Sequence, residues 1–229
     1  MKFNFSRLKW LPLFSGFVLL TSCSSMKPGE SDSSSAPDQQ VTANNQNEAA
    51  QDSAQPRIKA KDPMNGITAP LSLIKIYAEV NTLLENKNFD KAVEALKKAQ
   101  VDHPESSGPG YRLARVYMVQ GRNDLALDSV ETALSIKPDN YVALNLKAIL
   151  LKENGEFDKS LSAYQKALEV YPDYLAGHLN LAILADIYLY QPELALKHFE
   201  TYLMLKSETE EPEDKKVTGW VADLKRRLQ

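Results

Sequence analysis

Apolar side chains in residues 141–154 and 157–170 recur at spacings of three and four, which gathers them on one stripe of a helix with 3.6 residues per turn. The pattern predicts two helices. Gly155 separates them, and Pro172 ends the second, because its ring removes a backbone donor and pushes the preceding residue out of the α region. The unit is a helical hairpin.

The hairpin repeats along the chain. Pro104, Pro138 and Pro172 stand 34 residues apart, and the same step links Ala99, Ala133 and Ala167, links Ala114, Ala148 and Ala182, and joins Gly121 to Gly155. A fixed period of that size marks stacked supersecondary units. Ala148 on the first helix and Ser160 and Ala167 on the second are small enough to let two backbones approach, while Phe157 and Tyr164 fill the space that remains.

In register, one unit reads Gly110, Ala114, Tyr117, Gly121, Ala126, Val130, Ala133 and Pro138, and the next reads Leu144, Ala148, Leu151, Gly155, Ser160, Tyr164, Ala167 and Pro172. This set resembles the tetratricopeptide repeat (TPR) family. The resemblance implies an all-α fold, a TPR-type α-solenoid of about four hairpins over residues 66–206, followed at 207–229 by an acidic loop and a capping helix. Departures carry expectations of their own. Gly110 and His178 stand where the family usually has tryptophan, which predicts looser packing there. The first unit has Lys87 in place of the mid-hairpin glycine, and the fourth carries one extra residue between Asp186 and Glu193 and no closing proline. End units are expected to be atypical.

Composition adds a compartment more than a fold. The 229 residues are 43% hydrophobic and 25% charged with a net charge of −3, so no basic excess exists to neutralise phosphates and no nucleic-acid partner is expected. Lys2, Arg7 and Lys9 precede an apolar run of 11 residues from Trp10 to Leu20, the layout of an export signal over residues 1–22. As a helix that run rises only about 16 Å against the roughly 30 Å of a hydrocarbon core, too short to span it. Leu20-Thr21-Ser22-Cys23 resembles the lipobox of bacterial lipoproteins, which implies cleavage before Cys23 and lipidation of its sulfur. Cys23 is the only cysteine, so no internal disulfide is expected. In Gram-negative lipoproteins Ser24 at the next position implies sorting to the outer membrane, facing the periplasm. From Cys23 to residue 65 the chain is polar, rich in Ser, Gln, Asn, Asp and Ala, and reads as a disordered linker with an average reach of about 35 Å.

At the other end, Glu208, Glu210, Glu211, Glu213 and Asp214 read as a solvated loop. Val217, Trp220, Val221, Leu224 and Leu228 then recur at helical spacing with Lys225, Arg226 and Arg227 opposite, the pattern of a helix covering the exposed face of the last unit.

Little in the chain suggests bond-making chemistry. His103, His178 and His198 each stand without a ligand-spaced partner, no phosphate-binding glycine loop is present, and no nucleophile lies at a recognisable distance from a base. No catalytic residue, metal or cofactor is expected. In the resembled family the first helix of each hairpin lines a peptide groove. Carried over by position, that implies Tyr77 and Asn81 from the first unit, Tyr111, Arg115 and Met118 from the second, Asn145, Ile149 and Lys152 from the third, and Asn180 and Ile183 from the fourth. The chain therefore reads as an interaction adaptor for a protein or peptide of the cell envelope, held to the membrane through Cys23. The narrower alternatives are resemblances to TPR pilotins that assist secretins of pili or secretion systems and to TPR lipoproteins that accompany TonB-type energy transducers.

Overall fold

The computed structural model describes residues 57–66 and 68–229. The expected signal segment, Cys23 with its expected lipidation, and most of the expected linker lie outside the described residues. Helices follow in pairs: α1 (Leu71–Glu85) with α2 (Phe89–Asp102), α3 (Gly108–Val119) with α4 (Asn123–Ile136), α5 (Tyr141–Glu153) with α6 (Phe157–Val170), and α7 (Leu175–Ile183) with α8 (Pro192–Ser207). Each second helix also packs on the first helix of the next pair, and α9 (Lys215–Arg227) closes the stack against α8. All regular structure among the described residues is helical, a solenoid of four hairpins and a cap.

One backbone device turns every hairpin. Gly121 and Gly155 take φ of 71° and 79°, the left-handed conformation that costs a glycine nothing. Arg122 N–H then reaches back to Tyr117 O at 2.9 Å and Glu156 N–H to Leu151 O at 2.9 Å, satisfying carbonyls that the helix end leaves open. The first hairpin makes the same turn without glycine: Lys87 adopts φ 56°, and Asn88 N–H bonds Leu83 O at 2.7 Å. Turn geometry is therefore imposed by the packed helices, with Lys87 bearing a left-handed strain of about 1–2 kcal/mol.

The fourth hairpin absorbs its extra residue in a π-helical turn, Leu184–Tyr188, that continues α7. Leu189 N–H bonds Leu184 O at 3.1 Å, five residues back, and Tyr190 at φ 53° then takes the left-handed place. Ile187 and Tyr190 are pushed out into solvent as a result, 57% and 82% exposed.

Small residues set the spacing within a pair. Ala148, Ser160 and Ala167 are wholly buried, and Ser160 Oγ–H donates to Ala148 O at 2.7 Å, tying α6 to α5. Tyr164 is buried beside them, whereas Phe157 is half-buried and packs its ring 5.0 Å from Tyr188. The looser packing expected at Gly110 is not found. Gly110 is buried, and a methyl group added to it would lie 3.1 Å from Ser129 O and 3.3 Å from both Cβ and N of Ala133. Where tryptophan would wedge the helices apart, glycine has let α3 and α4 close onto each other.

Two polar segments, one before the first hairpin and one after the last, make defined contacts. Residues 57–65, polar enough to be assigned to the linker, make defined contacts: Arg57 reaches Asp173 and Glu208, and Met64 packs against the core around Tyr111 and Tyr141. The acidic connection is exposed at Glu208, Glu210, Glu211 and Glu213, as expected of a solvated loop, and its last residue has a specific role. Asp214 accepts from the N–H groups of Lys216 and Val217 at 3.2 Å each, capping α9, and takes the Tyr202 hydroxyl at 3.0 Å. Lys206 pairs with Glu211.

Candidate peptide-binding groove

The first helices of successive hairpins, α1, α3, α5 and α7, present equivalent positions side by side because the 34-residue period repeats their register. Tyr77, Tyr111 and Arg115 open onto one cavity of about 460 Å³, joined there by Arg112, Lys137 and Asn140. The Arg112 guanidinium lies 3.9 Å above the Tyr77 ring, and Arg115 lies 6.0 Å from the Tyr111 ring, so both cations are held by aromatic faces. Asn140 accepts Ala143 N–H at 3.0 Å as the cap of α5 and donates to Ser107 Oγ at 3.3 Å. The Tyr77 hydroxyl is shielded from solvent beside Arg112 and Ser106, and burial holds it above its ordinary pKa, so it stays neutral. A methyl group on Gly108 would stand 2.3 Å from that oxygen, which reserves the position for glycine while Tyr77 keeps this rotamer.

Three cations, Arg112, Arg115 and Lys137, face this cavity against the single carboxylate of Glu105. The site therefore suits an anionic or carboxylate-bearing segment, with tyrosine faces for apolar contact.

The other expected groove residues are placed differently. Asn81 is exposed on α1. Met118, Ile149 and Ile183 are half-buried and pack against the core. Asn180 Nδ2 donates to Asn145 Oδ1 at 3.0 Å, so these two amides are spent on each other across α5 and α7. Lys152 pairs with Glu153 at 2.9 Å and lies 5.4 Å from the Tyr188 ring. Arg112, Lys137 and Asn140 were missed because the carry-over kept only first-helix positions facing one way, whereas the cavity also takes the helix ends and the connection before α5. Asn140 had a readable signal, an asparagine just ahead of an apolar-periodic run.

The histidines are not all solitary. His178 and His198 bring their Nδ1 atoms to 2.8 Å, and His178 Nε2 lies 2.8 Å from Pro172 O. A carbonyl only accepts, so Nε2–H of His178 donates to it, and its bare Nδ1 accepts from His198 Nδ1–H. Burial lowers both pKa values, that of His198 to about 4, with its neighbour His178 and Lys197 adding to the effect. Among the described residues no set of three or more potential metal ligands converges.

Because the folded pKa is depressed below the usual 6.5, the unfolded chain binds more protons between pH 6.5 and 4. Stability is then fully present above pH 6.5 and is lost as the pH falls toward 4. Allowing for the partial exposure of the His198 ring, the loss is about 2 kcal/mol. Thermal melts across that range check it: His198→Gln is expected to flatten the pH dependence, and an unchanged slope would remove the pair as its source.

Comparison with known proteins fits this architecture. Residues 83–150 and 145–186 match two family models, each described as tetratricopeptide repeat. Residues 83–186 are tetratricopeptide repeats. The TPR domain is 34% identical over 92 residues to protein y4yS of Sinorhizobium fredii, covering 40% of this chain and 50% of that one. Curated relatives are matched over 22% to 57% of their own length. Among solved structures, Pseudomonas aeruginosa PilF superposes with a TM-score of 0.58 at 22% identity over 68% of each chain. YrrB, described as a TPR protein with an unusual peptide-binding site, superposes at 0.50 and 20% identity, covering 58% of this chain and 68% of its own. At such identities the likeness is one of fold. TPR domains are protein-interaction repeats, and the described residues contain no helix long and apolar enough to cross a membrane.

Proposed function

We propose that this chain is a non-enzymatic TPR lipoprotein, anchored in the outer membrane through Cys23 and facing the periplasm, that holds a protein or peptide component of an envelope complex. The observation that carries the binding part is the convergence of Tyr77, Tyr111 and Arg115 from neighbouring hairpins on one cation-rich cavity. The anchoring part is supported by the sequence of residues 1–24 alone, a short apolar run ending at the chain's single cysteine. The partner favoured by the cavity presents a carboxylate or acidic side chain to Arg112, Arg115 and Lys137, with apolar groups against the tyrosines.

Full chain carrying Tyr111→Ala and Arg115→Ala tests the reading by pull-down from envelope extracts. Loss of a guanidinium and a half-buried ring at one site is expected to weaken capture by about tenfold or more. Specific capture that survives both substitutions takes the cavity out of the account.

A further inference from the structure

The described chain begins beside the far end of the solenoid. Arg57 sets a two-pronged contact on Glu208, with Nε 3.0 Å from Oε1 and Nη2 2.8 Å from Oε2, and places Nη1 2.6 Å from Asp173 Oδ1. Three residues on, Ala60 N–H donates to Asp173 Oδ2 at 2.6 Å, and Lys59 Nζ stands 3.3 Å from Glu208 Oε2. The Tyr141 hydroxyl then donates to Asp62 Oδ2 at 3.2 Å. Asp173 belongs to the connection between α6 and α7, Glu208 follows α8, and Tyr141 opens α5. The segment therefore lies along the edge where hairpins join and runs against the order in which they stack.

This is peptide recognition performed within one chain. An Arg is read by two carboxylates, a Lys two positions later by one of them, and a backbone N–H by the other. Asp173 is only 12% exposed at its side chain, so its charge is directed at the bound segment, and the paired tyrosines Tyr141 and Tyr174, with centroids 4.7 Å apart, floor the edge beside it. Little apolar burial holds the first part of the segment, since Ile58 is 92% exposed. The basic partners stay open to water, Lys59 at 66% and Arg57 at 31% side-chain exposure, so their ion pairs are screened by salt and the segment can be exchanged.

We infer that the edge formed by Asp173, Glu208 and Tyr141 is a binding site for an extended basic segment of a partner protein, Arg-x-Lys in pattern, and that residues 57–60 occupy it in cis. It shares no side chain with the cation-rich cavity and selects the opposite charge. The chain's own segment competes as a tethered ligand at high effective concentration, which keeps the edge closed to weak basic sequences.

A labelled peptide copying residues 57–64 tests this by fluorescence anisotropy on the full chain. Arg57→Ala with Lys59→Ala frees the edge and is expected to bind the peptide about tenfold more tightly than the unaltered chain. Adding Asp173→Asn and Glu208→Gln is expected to abolish that binding, as is about 0.5 M salt. Circular dichroism establishes that each variant is folded, and Glu208→Gln added alone to the freed chain, which leaves Asp173 in place, is expected to give a partial loss. Equal binding by the unaltered and freed chains, binding that survives neutralisation of both carboxylates, or no binding by any variant overturns the proposal. Dimers of the unaltered chain that dissolve on neutralising Asp173 and Glu208 would assign the edge to a second copy of this chain instead.

Discussion

Replacing Gly110 with tryptophan, the residue its repeat family usually carries at that offset, is expected to destabilise the protein by at least about 3 kcal/mol. Consensus substitutions commonly stabilise, so the sign of this prediction follows from the local geometry alone. The indole would have to enter where even a methyl group meets Ser129 O at 3.1 Å and the Ala133 backbone nitrogen at 3.3 Å. Both are main-chain atoms of α4, so no side-chain rotation can relieve the contact. The helices would have to separate, and the neighbouring Ala114, Ala126, Val130 and Ala133, all fully buried, would lose their packing with them. Gly110→Ala should differ little from the parent, because the crowding of its methyl group is offset by the better helix propensity of alanine, about 1 kcal/mol. Thermal unfolding followed by circular dichroism checks both: tryptophan is expected to lower Tm by roughly 10 °C. A Tm equal to or above that of the parent would mean that α3 and α4 part at little cost, and the close approach would not define this hairpin.

Gly110 also shows where sequence reading reached its limit. The period, the hairpins, their boundaries and the capping helix were all legible, because each follows from local rules: apolar spacing, a glycine that permits a left-handed turn, a proline that stops a helix. What a small residue does at an inter-helix contact is not local. The same glycine is compatible with a void or with a closer approach, and only the position of α4 decides. Lys87 makes the complementary point, since the chain turns there as it does at Gly121 despite a residue that disfavours the geometry.

The candidate sites were legible in proportion to how local they are. Tyr77, Tyr111 and Arg115 share a face through the 34-residue step, and the carry-over along that step found them. Arg57 and Glu208 are separated by 151 positions, and no periodicity joins a polar segment ahead of the first repeat to an acidic residue after the last. Composition averages a stretch, whereas a charge-assisted contact needs only one guanidinium and two well-placed carboxylates. The histidine pair was hidden for the same reason: a separation of 20 positions matches no ligand spacing, yet the hairpin folds the two rings together.

Phe199→Ala is expected to cost about 3–5 kcal/mol, and most of that loss should fall on the C-terminal end of the solenoid. Phe199 is 2% exposed at the centre of a cluster that includes Leu181, Ala195, Val217, Val221 and Leu224, and its ring centroid lies 5.4 Å from that of Trp220. It thus fills the space between the fourth hairpin and α9, the helix that shields this end from water. In a stacked array each unit touches only its neighbours, so a cavity in the last interface loosens that interface first and leaves distant hairpins nearly intact. Amide hydrogen exchange should therefore lose protection in Lys215–Arg227 and Pro192–Ser207 well before it does in Gly108–Val119. Trp220→Ala provides the comparison: that ring is half-buried with Lys216 Nζ 4.8 Å from its centre, and its removal should cost less than half as much as the loss of Phe199. Uniform loss of protection across all nine helices described would show that the solenoid unfolds as one cooperative body, and the nearest-neighbour account of its stability would fail.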